Sequence, residues 1–91
     1  MKITDVKIRK LLDEPRMRAI VSVTFDDALA VHDIKVIQGD NGLFVAMPSR
    51  RDEQGLFRDI VHPINAEMRK YIEQEVIGIY KYYAEGIKGE E

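Results

Sequence analysis

Residues 31–64, VHDIKVIQGDNGLFVAMPSRRDEQGLFRDIVHPI, decide the fold, because they set three strand-like segments in a row with only short turns between them. Residues 29–38 read as one strand, but their apolar parity moves from Leu29 and Val31 to Ile34 and Val36. One inserted residue reverses which face the following side chains meet, so a bulge or bend is expected near His32-Asp33. Gly39-Asp40-Asn41-Gly42 then separates this strand from residues 43–47. Asn41-Gly42 is a hairpin signal, since both residue types tolerate the positive φ of a type I′ turn. Pro48 ends the strand, residues 49–55 read as a polar loop, and residues 57–61 as a short fifth strand.

Upstream, residues 17–25 alternate, with Met17, Ala19, Val21, Val23 and Phe25 on one side and Arg18, Ser22 and Thr24 on the other, broken only by Ile20. That is strand periodicity. Residues 3–10 alternate less cleanly and form a weaker strand candidate; the Asp13-Glu14-Pro15 cluster marks the turn between the two. Asp26-Asp27 marks the next turn. After His62-Pro63 the period becomes helical, with Met68, Tyr71, Ile72, Glu75, Val76, Ile79 and Tyr83 on one stripe. Asn65 suits the N-cap and Glu67 the positive end of the helix dipole. Gly78 sits awkwardly inside this helix, either for close packing or as a fraying point.

Strands first and one long C-terminal helix last, with short connections, predict an α+β single domain built on a mostly antiparallel sheet of about five strands. The domain is expected over residues 1–84, with a flexible acidic tail over 85–91. A chain of 91 residues leaves no room for a second core. One helix covers one sheet face, yet Phe44, Ala46, Ile20, Ile34 and Val36 put apolar surface at both parities, which predicts a homodimer. No run approaches the roughly 20 apolar residues of a membrane span, and MKITDVKIRK lacks the apolar core of a signal peptide, so a cytoplasmic protein is expected. The absence of cysteine excludes disulfides and thiolate chemistry.

The net charge of −2 gives no global pull towards phosphate. Its distribution is uneven: residues 1–18 hold six basic against three acidic side chains, while acids gather at Asp26-Asp27, Asp52-Glu53, the helix and Glu90-Glu91. Arg50 and Arg51 follow Pro48 at what reads as a hairpin tip, where the planar guanidinium could fork onto a phosphate or a guanine edge. The competing reading is a solvated pair balanced by Asp52 and Glu53. Arg58 and, on the helix, Arg69 and Lys70 could extend this cationic surface, or Arg69 and Lys70 could pair with Glu67 and Glu73 at helical spacing. Arg16 and Arg18 flank Met17 and either lengthen the basic stripe or protect a strand edge. His32 and His62, thirty positions apart, carry no metal spacing and read as turn organisers, with Asp33 bonding backbone groups that the bulge frees. No Gly-rich phosphate loop, triad or paired-carboxylate pattern is present, so neither an enzyme nor a cofactor is expected. Tyr71, Tyr80, Tyr82 and Tyr83 could stack on bases but at helical spacing read first as core and rim.

RMRAIVSVTF, VHDIKVI, NGLFVAMPSRR and FRDIVHPIN together resemble the stage V sporulation protein G (SpoVG) family of small bacterial regulators, also known by a septation label, over nearly the whole chain. The resemblance implies a sheet-mediated homodimer that binds nucleic acid, DNA and also RNA, linked to sporulation, septation and gene regulation. It implies that Arg50 and Arg51 contact nucleic acid, where many relatives have lysine in place of Arg50, and that the helix takes part through Arg69. His32-Asp33 and His62-Pro63 match family hallmarks in structural positions. A protein-interaction module for a cell-division partner is the alternative. Neither a membrane nor a small-molecule substrate is expected as partner.

Overall fold

The computed structural model describes residues 1–86. The chain runs β1 (Ile3–Leu11), β2 (Met17–Phe25), β3 (Leu29–Gly39), β4 (Gly42–Ala46), β5 (Ser49–Arg51), β6 (Phe57–Asp59) and α1 (Ala66–Lys81), and continues as a π-helical turn over Tyr82–Gly86. Strands β1 to β4 form one antiparallel sheet in sequence order, while β5 and β6 pair only with each other. The expected α+β class is therefore observed, but the fifth strand divides from the sheet: the polar loop over 49–55 is the first half of a separate two-stranded ribbon. The expected tail beyond Gly86 lies outside the described residues.

Local chemistry explains each register. The weak alternation of β1 comes from register shifts between Ile3 and Asp5 and between Ile8 and Lys10. Each inserts one residue, so Ile3, Val6 and Ile8 all pack on the core despite their uneven spacing. The turn after β2 is a type I′ turn: Asp26 and Asp27 have φ of 53° and 52°, and the Phe25 carbonyl accepts from Ala28 N at 2.9 Å. The chain start clasps it, Lys2 N donating to Asp26 Oδ1 at 3.0 Å and Asp27 N to Thr4 Oγ1 at 3.0 Å. The bulge in β3 lies where the parity shift puts it. Val21 pairs Ile34 and Val23 pairs Val31, leaving His32 and Asp33 opposite Ser22, with Asp33 at φ 63°. Ser22 Oγ and His32 Nδ1 are 2.8 Å apart, whereas the carboxylate of Asp33 makes no hydrogen bond to backbone among the described residues.

The β3–β4 hairpin turns one residue earlier than expected. Gly39 pairs with Gly42, so Asp40 and Asn41 form the loop, and only Gly42, at φ 129°, takes the positive dihedral.

Helix α1 lies over one face of the four-stranded sheet. Its Asn65 cap accepts from Met68 N at 2.7 Å. Ile72, Val76 and Tyr80 are its buried residues, so the apolar stripe runs through Tyr80 while Glu75 and Tyr83 are exposed. Beneath them Val21, Val23, Ile34 and Val36 are fully buried. Removing each such side chain from water contributes about 1.5–3 kcal/mol. Gly78 neither breaks the helix nor packs closely: it is exposed, and a Cβ there meets nothing within 4 Å. Among the described residues no helix is long and apolar enough to cross a membrane.

Candidate nucleic-acid interface

The ribbon is built by its turn. Asp52 N donates to Leu56 O at 2.8 Å and Gly55 N to Asp52 O at 3.0 Å, closing a three-residue tip whose last residue, Gly55, has φ 84°. Asp52 Oδ1 accepts from Gln54 N and from Leu56 N, both at 2.9 Å, and its Oδ2 accepts from Arg58 Nε at 2.8 Å. These donors, Arg58 foremost, hold the Asp52 carboxyl below its ordinary pKa of 3.8. Ile60 N donates to Pro48 O at 2.8 Å and closes the base. The arginines thus sit on the stem, not at the tip.

Strand periodicity then separates the two neighbours. Arg50 lies opposite Arg58, and Arg51 opposite Phe57, so Arg50 and Arg58 share one ribbon face while Arg51, Phe57, Ser49 and Asp59 share the other. Arg50 and Arg58 form a directly opposed like-charge pair, which is destabilising unless compensated. Asp52 supplies a carboxylate to Arg58, in the only ion pair among the described residues, and Arg50 makes none. On the other face the guanidinium carbon of Arg51 lies 5.3 Å from the centre of the Phe57 ring. Every residue of β5 and β6 is exposed.

The remaining candidate residues are distributed elsewhere. Arg18 is half-buried and tied to the protein itself: its Nε donates to Tyr80 Oη at 3.3 Å and its Nη1 to Glu14 O at 3.4 Å. The bond to Tyr80 raises its pKa further, so the guanidinium is a charged strut between β2 and α1. Arg16 is exposed beside the β3–β4 turn, where its carbonyl accepts from Gln38 N at 2.8 Å. Arg69 is exposed on the first turns of α1. It does not pair with Glu67 or Glu73, and Glu73 turns instead to the β4 backbone, Val45 N donating to its Oε2 at 3.5 Å. His62 Nδ1 is 3.2 Å from Pro63 O, at the junction leading into α1. Tyr71 Oη accepts from Ile3 N at 2.9 Å, tying β1 to the helix, while Tyr82 and Tyr83 form an exposed edge-to-face pair.

Sequence reasoning misses an apolar run next to the ribbon: Leu56, Phe57, Ile60, Val61 and Ile64 are 55%, 68%, 62%, 40% and 87% exposed. Its signal is present in the spacing of LFRDIVHPI, but residues 57–61 read as a strand whose apolar side the sheet would bury.

Fold and surface together define a small α+β protein whose exposed chemistry is an arginine-bearing β-ribbon bordered by apolar surface. The family model described as SpoVG matches residues 1–82, and the chain belongs to that family. Relatives carrying the name "Putative septation protein SpoVG" include those of Clostridioides difficile, 62% identical over 80 residues (88% of this chain, 87% of that protein), and of Desulforudis audaxviator, 61% identical over 82 residues (90% and 93%). That of Clostridium kluyveri is 55% identical over 91 residues, covering all of this chain and 91% of its own. These names designate septation proteins and not enzymes.

Proposed function

We propose that the protein is a non-enzymatic, cytoplasmic regulator that binds nucleic acid, DNA and also RNA, as a homodimer, in the septation setting its relatives' names carry. The opposed and exposed pair Arg50 and Arg58, of which Asp52 pairs with Arg58 and not with Arg50, carries the reading. Two guanidiniums held across a ribbon leave one positive charge uncompensated, and a phosphate oxygen pair is the ligand that a planar fork accepts best. Such a contact fixes the protein on the backbone and does not select sequence.

A salt series in fluorescence anisotropy tests it, on duplex DNA, single-stranded DNA and RNA probes. Wild type binds with a steep salt dependence. Arg50→Ala, still folded, binds more weakly and lowers the slope by about 0.9 for each duplex phosphate that it no longer neutralises. Equal binding by both proteins on every probe overturns the reading.

The exposed Ile60, Val61 and Ile64, beyond the ribbon, favour a second contact of protein with protein. β4 is an unpaired edge of the large sheet, one short connection from the ribbon. A second copy pairing along that edge would be the sheet-mediated homodimer and would cover Ile60, Val61 and Ile64. The same surface serves the alternative reading, a module for a cell-division partner, which predicts nucleic-acid binding indifferent to Arg50.

A further inference from the structure

We infer that the Arg51–Phe57 face of the ribbon is a single-nucleotide site, in which an unpaired base stacks on Phe57 while its phosphate pairs with Arg51. The inference rests on the nucleic-acid reading and adds to it a contact that only single-stranded segments can fill, because a base inside a duplex has no free face to offer. Phe57 is 68% exposed on a strand of three residues, with no aliphatic neighbour opposite it, only a guanidinium. Left exposed, the ring forfeits the burial that would ordinarily hold a phenylalanine in place. What it presents is a rigid flat surface with a cation over one face, and that pairing matches a nucleotide: the other π-face meets the base and the cation meets the phosphate. On the opposite ribbon face Arg58 is held by Asp52, and Arg50, which makes no ion pair among the described residues, is left for the neighbouring phosphate of the same strand. The two faces thus divide the work, and Arg50 and Arg51 are unequal in role despite being adjacent.

The chain contains no tryptophan, so Phe57→Trp introduces a single indole at the site. Its fluorescence is titrated with an oligothymidine and with an abasic oligonucleotide of equal length, with anisotropy of labelled strands recorded in parallel. The inference expects quenching by oligothymidine and not by the abasic strand. It also expects Phe57→Leu to weaken single-strand binding about five- to a hundredfold, with Phe57→Trp retaining it, and with an unchanged salt slope. Binding by anisotropy without quenching, or equal affinity of Phe57→Leu and wild type, overturns the stacking site and leaves the phosphate reading intact. Absence of binding to any probe overturns both. An indole signal that follows protein concentration and ignores oligonucleotide assigns Phe57 to the contact between copies and equally overturns the inference.

Discussion

Asp52 is the residue on which the ribbon's charge depends. Its carboxylate gathers two backbone N–H groups and Arg58, and so does two things at once: it shapes the turn and it neutralises a guanidinium. Asp52→Asn separates them, because an amide oxygen still accepts from Gln54 and Leu56 but offers Arg58 no charge. The variant is expected to bind duplex DNA more tightly, with a salt slope steeper by about 0.9 for one further phosphate neutralised, measured by anisotropy. Acid acts on the same group. Its folded pKa lies below the ordinary 3.8, so its stabilisation of the ribbon is complete above that value and is lost as pH falls through the lower, folded one. The amide resonances of Gln54 and Leu56 should titrate with a midpoint under 3.8, and Asp52→Asn should abolish that titration. Adjacent arginines were legible as a cationic feature from sequence. Their opposite facing was not, since a three-residue strand is too short to display a period.

At the scale of elements, irregularities explain where pattern reading succeeded and where it slipped. The β3 bulge was legible because apolar residues on both sides of His32-Asp33 changed parity. Asp33 answers with φ 63°, a region that costs about 1–2 kcal/mol for an ordinary L-residue and less for Asp. Asp33→Gly should therefore be near neutral and Asp33→Val strongly destabilising in urea unfolding. The two bulges of β1 blurred its alternation for the same reason, one inserted residue each, but with so few apolar side chains between breaks the shift could not be told from noise. Helix α1 was legible from cap to stripe, except that Glu75 faces outward and Tyr80, bonded to Arg18, replaces Tyr83 at its buried end. Gly78 has no steric reason for its place. Gly78→Ala should raise stability by about 1 kcal/mol, read as a higher urea midpoint with unchanged slope.

For the whole molecule, the informative fact is where apolar surface is left uncovered. Helix and sheet bury their own core, and the described residues extend 49 × 32 × 22 Å, with the ribbon making no substantial packing contact with either. Leu56, Phe57, Ile60, Val61 and Ile64 are then left between 40% and 87% exposed, with Val61 bordering a hollow that Phe25, Met68 and Ile72 also line. Scattered exposure is ordinary, but several such side chains in one short segment are where a second chain gains most by binding. Two ribbons carried on one dimer would also make the second phosphate contact intramolecular, raising avidity without new chemistry. Ile60→Glu with Ile64→Glu places two charges in that surface without touching the core or any arginine. Sedimentation velocity should show wild type as a dimer and the variant as a monomer with unchanged circular dichroism. The variant's affinity for a long probe should fall more than for a short one that only a single ribbon can occupy. A wild type that sediments as a monomer, or a variant that stays dimeric, removes this surface from the dimer and leaves it to a partner of another kind.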